Sequence, residues 1–527
     1  MTVKGASAAS SAATTPPASP APPVLDPARL DRLRADLRAA DLTLDGIGEL
    51  LGPVAAAALH REQPLAARRV VAGDRSPLAV LTGLFCLGLP AGTDDLARAL
   101  PSLGVEGAHA LGLVTGRGDQ QTAAYDLRPY GDDEGGAWWV VSDLGESAGP
   151  GPLPVDHVLG IGGASTTLAS WTPRAPVRRA LDLGTGCGVQ SLHLAGHADE
   201  VVATDVSRRA LAVAGVNAAL AGQSWDLRHG SMLEPVAGER YDLVVSNPPF
   251  VISPRAPGVP VYEYRDGGLA GDALVAGLVS GVGDHLAPGG VAQLLANWET
   301  HADAGWAERV AGWLEGTGLD AWVVQRDVQD PVEYAELWAR DGGLAPGMPG
   351  WDALVSTWVD DLDRRGVREI GFGVMTLRRP ATDRAPVVEI TEASGPVASP
   401  MGPTVLGTLA ARDWLAGRDD DAVLDEVWRC APDVTEERHG WPGAEPSVVL
   451  LRQGGGLGRA VRLDTLDAAL VSVCDGDLTA RSALVAIAAL LDLPQGETLA
   501  QGAGLVRHLA ADGLLVREAA GLTTSRA

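Results

Sequence analysis

Asn247-Pro248-Pro249-Phe250 closes an apolar run, Tyr241–Ser246, that reads as a buried parallel strand. Proline cannot continue a central strand, so the chain must leave the sheet at Asn247. That is the carboxyl end of the strand, where open α/β sheets place their ligand crevice. The stiff Pro248-Pro249 turn can hold the Asn247 amide and nearby carbonyls facing that crevice as acceptors. Such a set suits a planar group bearing NH2, with the Phe250 ring available to stack on it. The plain alternative is a structural turn out of a strand.

A second motif lies upstream. Ala180 to Val189 reads as a strand, a glycine-rich turn and the start of a helix, with Gly184, Gly186 and Gly188 at alternate positions. Glycines there let backbone approach a ligand closely. The spacing is Gly-x-Gly-x-Gly and not the dinucleotide pattern Gly-x-Gly-x-x-Gly. Glu200 to Asp205 then reads as a second strand ending in an acid, placed to accept hydrogen bonds from both hydroxyls of a ribose.

In this order the motifs resemble the class I S-adenosylmethionine-dependent methyltransferases. More narrowly they resemble the Asn-Pro-Pro-(Tyr/Phe) branch that methylates amino nitrogens. That branch holds the HemK/PrmC-type glutamine methyltransferases and the small-domain methyltransferases of ribosomal and transfer RNA. The resemblance runs from about Val158 to Arg379. It implies S-adenosyl-L-methionine as cofactor, with Asp182, Gly184, Thr185, Gly186 and Gly188 at its methionine portion and Asp205 at its ribose. The family often carries an acid after the third strand, near the adenine. Here that stretch is His229 to Leu233, so Ser231 or a backbone amide beside Met232 would read the adenine. Asn247 to Phe250 would hold the group to be methylated. The glutamine enzymes also carry an acid-Gly-Gly stretch after their Asn-Pro-Pro, so Asp266 of Asp266-Gly267-Gly268 is expected either to shape the substrate pocket or to form an ordinary turn. Apart from the resemblance, Arg255 and Arg265 follow the Asn-Pro-Pro-Phe turn and either line a substrate entrance or form a solvated rim of ordinary surface charge.

The implied reaction is methyl transfer to a planar amino nitrogen of a macromolecule. An adenine or guanine amino group of RNA stands ahead of a protein glutamine, as in a release factor. Phe250 in place of Tyr leans towards RNA. The net charge of −26 and Asp266-Gly267-Gly268 lean towards protein, so RNA or protein as partner stays undecided. A small-molecule acceptor or a catalytically silent binding protein are the remaining readings.

Positioning these motifs requires strands alternating with helices, the pattern of a parallel sheet. Seven strands are expected, from Arg179 to Leu377, in a Rossmann-like α/β methyltransferase domain over 151–380. Gly160 to Leu168, just ahead of them, is expected either to fold over the cofactor or to serve as a connector. A chain of 527 residues is too long for one core. Residues 1–25 read as a disordered tail without the apolar region of a signal peptide. Residues 26–150 read as a helical, winged-helix-like domain ending in the Gly149 to Pro152 run. Residues 381–459 read as a small β-containing linker domain, and 460–527 as a winged-helix-like region. Four separated cysteines and no apolar run long enough for a bilayer fit a reducing cytoplasm. His193 and His197 share one helix face, but no third ligand follows them, so no metal is expected.

Overall fold

In the computed structural model, residues 19–145, 153–257, 259–443 and 446–517 are described. Most of the expected tail (1–18), the Gly149 to Pro152 boundary and residues 518–527 lie outside the described residues. No single helix among the described residues is long and apolar enough to cross a membrane.

One mixed sheet dominates. Its strands are β1 (Val177–Leu183), β2 (Ala198–Asp205), β3 (Asp226–His229), β4 (Tyr241–Ser246), β5 (Leu286–His301), β6 (Asp320–Gln329), β7 (Val367–Arg378) and β8 (Val388–Glu392). Their order across the sheet is β3-β2-β1-β4-β5-β7-β6-β8. Only β7 runs antiparallel, to both β5 and β6. Leu181, Val202, Val244 and Val323 are 0% exposed, as central strands covered on both faces require. Each such side chain contributes roughly 1.5–3 kcal/mol relative to exposure. The strand order reverses between β1 and β4, and both end at the same edge, so the crevice between their carboxyl ends is the topological switch point.

The sheet has eight strands, not the seven expected. The added one, β8, pairs parallel with β6 along Ala321–Val388 to Gln325–Glu392. Its five residues alternate polar with apolar and sit at an edge, so they lack the apolar run that marked the others. The sheet therefore continues past residue 380. The C-terminal region also departs from the expected division. Strands Asp475–Thr479 and Leu515–Arg517 flank Val427–Cys430, which comes from the stretch expected to be a separate linker domain. Helices Thr465–Ser472, Ala480–Leu491 and Gln495–Ala511 pack on that sheet around Leu470, Leu484 and Val506.

The N-terminal helices end in a hairpin, Asp126–Gly131 with Ala137–Ser142. The hairpin docks on helix Arg208–Ala221, where Asn217 accepts the Val141 N–H at 2.8 Å and donates to the carbonyls of Val141 and Cys187. Residues 19–25, expected to belong to the tail, run across this junction. The Ala21 carbonyl takes the Tyr125 hydroxyl at 2.7 Å and the Pro20 carbonyl takes Arg209 Nε. Buried donors need acceptors, and this strap supplies them.

His193 also belongs to that junction. Its Nε2 lies 2.8 Å from the Tyr130 hydroxyl and its Nδ1 lies 3.2 Å from Asp132. Among the described residues no group of three His, Cys, Asp or Glu is placed to hold a metal ion. Burial lowers the His193 pKa to about 4, against an ordinary value of 6.5. The unfolded chain therefore binds the proton first as pH falls, and stability is lost from about pH 6.5 down to the folded value. The loss should reach roughly 2–3 kcal/mol, and urea titrations at pH 7.5 and 5 should show a smaller loss in His193→Asn than in the parent.

Candidate active site

A cavity of about 280 Å³ opens at the carboxyl edge of β1, β2, β3 and β4. Its floor is the glycine turn between β1 and helix Val189–Leu194. Gly186 has φ +57°, and a Cβ there would meet no atom within 4 Å: the space it would enter is the cavity. Gly188, at φ +90°, is held to glycine by packing, since a Cβ would fall 2.6 Å from the Trp225 ring.

Asp182 is not part of the cavity wall. Its Oδ2 accepts the Thr185 hydroxyl at 2.6 Å, the Ser191 N–H at 3.0 Å and the Ser191 hydroxyl at 2.7 Å. Burial pushes its carboxyl up to about 6 while those donors favour the anion. Asp182 thus ties the glycine turn to the helix behind it, whereas the resemblance implied contact with the cofactor. Asp182→Ala would leave several buried donors without an acceptor, at about 1–3 kcal/mol each. A fall in Tm together with weaker cofactor binding is the expected result, and calorimetry on the variant checks it.

Asp205 ends β2 and does line the cavity. Its Oδ2 takes the Gly186 N–H at 2.9 Å and its Oδ1 the Ser207 N–H at 2.8 Å, so the acid is fixed against the glycine turn. Burial raises its pKa from the ordinary carboxylate value. Thr185, Ser231 and Met232 line the same space, the last with φ +46°.

The Asn-Pro-Pro-Phe segment is divided by the fold. Asn247 and Pro249 line the cavity. The Asn247 Oδ1 is buried and has no hydrogen-bond partner among the described residues. Pro248 is buried and lies outside the cavity lining. The Phe250 ring packs among core residues, including Val251 and Ile252, instead of facing the cavity. The segment is anchored beyond Phe250, where the Tyr334 hydroxyl accepts the Ile252 N–H at 2.9 Å.

Arg265 is also internal, in place of the entrance or rim position expected for it. It is 4% exposed, donates to the Trp338 carbonyl at 3.0 Å and to Asp341 at 2.5 Å, and lies over the Tyr262 ring. Arg255 donates to the Leu269 carbonyl at 2.8 Å. Asp266 also lines the cavity.

Gly160 and Ser165 line the cavity, so the stretch ahead of β1 takes the first of its two expected roles, and His157, Val158 and Leu159, which no sequence signal marked, line it too. His157 is held by Asp143, 3.5 Å away at the end of the hairpin, and burial lowers its pKa. Asp143 also receives both guanidinium nitrogens of Arg209, at 2.5 and 2.6 Å, and the Val158 N–H at 2.8 Å. Removing one partner of a buried ion pair is costly, so the N-terminal hairpin forms part of the cavity's support.

These features fit an adenosyl cofactor: a glycine cradle with room for ligand, a fixed acid for a diol, and an unpartnered acceptor where a group to be modified would sit. Residues 160–258 match the methyltransferase small domain family, and residues 39–124 match a domain of unknown function (DUF7059). This part of the chain is similar to the class I S-adenosylmethionine-dependent methyltransferase domains of the HemK/PrmC-like kind. The release factor glutamine methyltransferase of Xylella fastidiosa is 37% identical over 166 residues, covering 29% of this chain and 58% of that protein. The release factor glutamine methyltransferase of Bordetella pertussis is 37% identical over 191 residues, covering 34% and 64%. The ribosomal RNA small subunit methyltransferase C of Salmonella arizonae is 32% identical over 165 residues, covering 31% and 45%. The chain thus spans roughly half to two thirds of the length of these curated relatives.

Proposed function

We propose that this chain transfers a methyl group from S-adenosylmethionine to a planar primary nitrogen of a macromolecule, with a protein glutamine side chain as acceptor. The observation that carries the reading is the buried, unpartnered Asn247 Oδ1 in the cavity wall. A buried acceptor left without a donor costs about 1–3 kcal/mol, and the N–H of an amino group to be methylated would supply that donor. The bound cofactor supplies an activated methyl group on a sulfonium. The protein's part is alignment. Asp205 and the glycine turn fix the cofactor, and Asn247 draws the acceptor N–H towards itself, favouring a nitrogen whose lone pair can attack.

The choice of protein over RNA rests on charge. The net charge is −26, Arg265 is spent inside the protein, and Arg255 bonds the Leu269 carbonyl. On the expected recognition helix, Arg507 is tied to Asp420 and to the carbonyls of Leu415 and Arg418. A phosphate backbone is held by cations free to meet it, and these arginines already have partners. The glutamine methyltransferases among the relatives agree with this. An RNA amino group is the second reading, supported by the likeness to the ribosomal RNA enzyme. Tritiated S-adenosylmethionine, incubated with this chain and an extract of cells lacking it, separates the two. Label released by protease and retained through RNase is expected, and label released by RNase would replace glutamine with a nucleotide.

A further inference from the structure

The lining of the cavity includes, besides Asn247, a second residue with an unpartnered acceptor. Asp266 is 8% exposed, and its Oδ2 accepts the Tyr262 N–H at 2.6 Å. Its Oδ1 is buried and has no hydrogen-bond partner among the described residues. Phe250 and Asp266 form an antiparallel bridge, and the Val251 N–H bonds the Arg265 carbonyl at 3.0 Å. This pairing lays Asp266 against the Asn-Pro-Pro-Phe segment, and Asp266 and Asn247 face the same cavity. Stabilising the turn requires only Oδ2. A buried carboxylate oxygen with neither donor nor cation is expensive, and the adjacent Arg265 guanidinium points instead to Asp341 and the Trp338 carbonyl.

A planar NH2 group has two N–H donors, and Asn247 Oδ1 accounts for one. We propose that Asp266 Oδ1 accepts the other and takes up the proton that the nitrogen releases, an inference that rests on the amino-methyltransferase reading above. As the nitrogen lone pair bonds the methyl carbon, the carbon–sulfur bond breaks and its electron pair stays on sulfur. The nitrogen then loses its proton to Asp266 Oδ1, and the N–H pair returns to nitrogen. An asparagine amide is too weak a base for this and a carboxylate is not, which gives the two side chains different tasks.

The test uses the full chain, tritiated S-adenosylmethionine and the same extract. Asp266→Asn keeps a carbonyl acceptor and removes the base. Its transfer rate should fall by about a hundredfold or more, while calorimetry shows cofactor affinity within about twofold of the parent. For Asp266→Ala, added formate should restore at least about tenfold of the lost rate by entering the vacated space as a substitute base. An Asp266→Asn rate within about threefold of the parent would overturn the proposal, and so would an Asp266→Ala rate indifferent to formate. Absence of transfer by the parent chain would overturn the enzyme reading and this inference with it.

Discussion

Asn247→Ala is expected to bind S-adenosylmethionine almost as tightly as the parent and to lose methyl transfer by about 10²–10³-fold. The two effects separate because Asp205 and the glycine turn sit at the ends of β2 and β1, whereas Asn247 leaves the end of β4. The amide oxygen is preset: the prolines after it fix the exit from the sheet, and Tyr334 pins the chain beyond at the Ile252 N–H. An acceptor that needs no reorganisation favours the nitrogen as positive charge develops on it, more than it favours the resting amide. The measurement is an initial rate with labelled cofactor, set beside a calorimetric titration of the same preparation. Transfer within about threefold of the parent would remove Asn247 from this role.

Asp205→Ala should do the reverse, raising the cofactor Kd by roughly a hundredfold or more, because two kinds of contact are lost together. The carboxylate takes the Gly186 N–H and the Ser207 N–H, so it holds the cradle in shape, and the residue lines the cavity where a ribose diol would donate to it. Hydrogen bonds to a charged group contribute about 1.5–3 kcal/mol each, enough for that change in affinity. Once cofactor is saturating, the rate should recover to within about fivefold of the parent, since Asp205 does not touch the acceptor. Calorimetry giving an unchanged Kd would show that the acid serves the turn alone.

The alanine and asparagine variants in the cavity also distinguish residues that sequence spacing placed side by side. Asn247 and Phe250 are three positions apart, yet one faces the cavity and the other packs in the core with Val251 and Ile252. Arg265 and Asp266 are neighbours, and only the acid reaches the cavity while the guanidinium is buried against Trp338 and Asp341. A turn out of a strand sends successive side chains in different directions, and which direction is solvent, core or ligand depends on what packs against each.

What the sequence determined by itself were the local, covalently restrained features. Proline forced the exit after β4, glycines permitted the positive φ angles of the cradle, and apolar runs marked strands buried on both faces. From these the sheet, its switch point and the positions of Asp205 and Asn247 could be read. Only the tertiary structure decided the rest. It turned Asp182 inward to brace the glycine turn, and it brought Asp143 and His157 from outside the sheet into the cavity's support. It also added β8 to an edge and put Val427–Cys430 between strands from the far end of the chain. Each of these rests on contacts between segments distant in sequence. Such contacts are selected by burial and hydrogen-bond satisfaction in the assembled fold, and the order of residues along one strand or turn does not encode them.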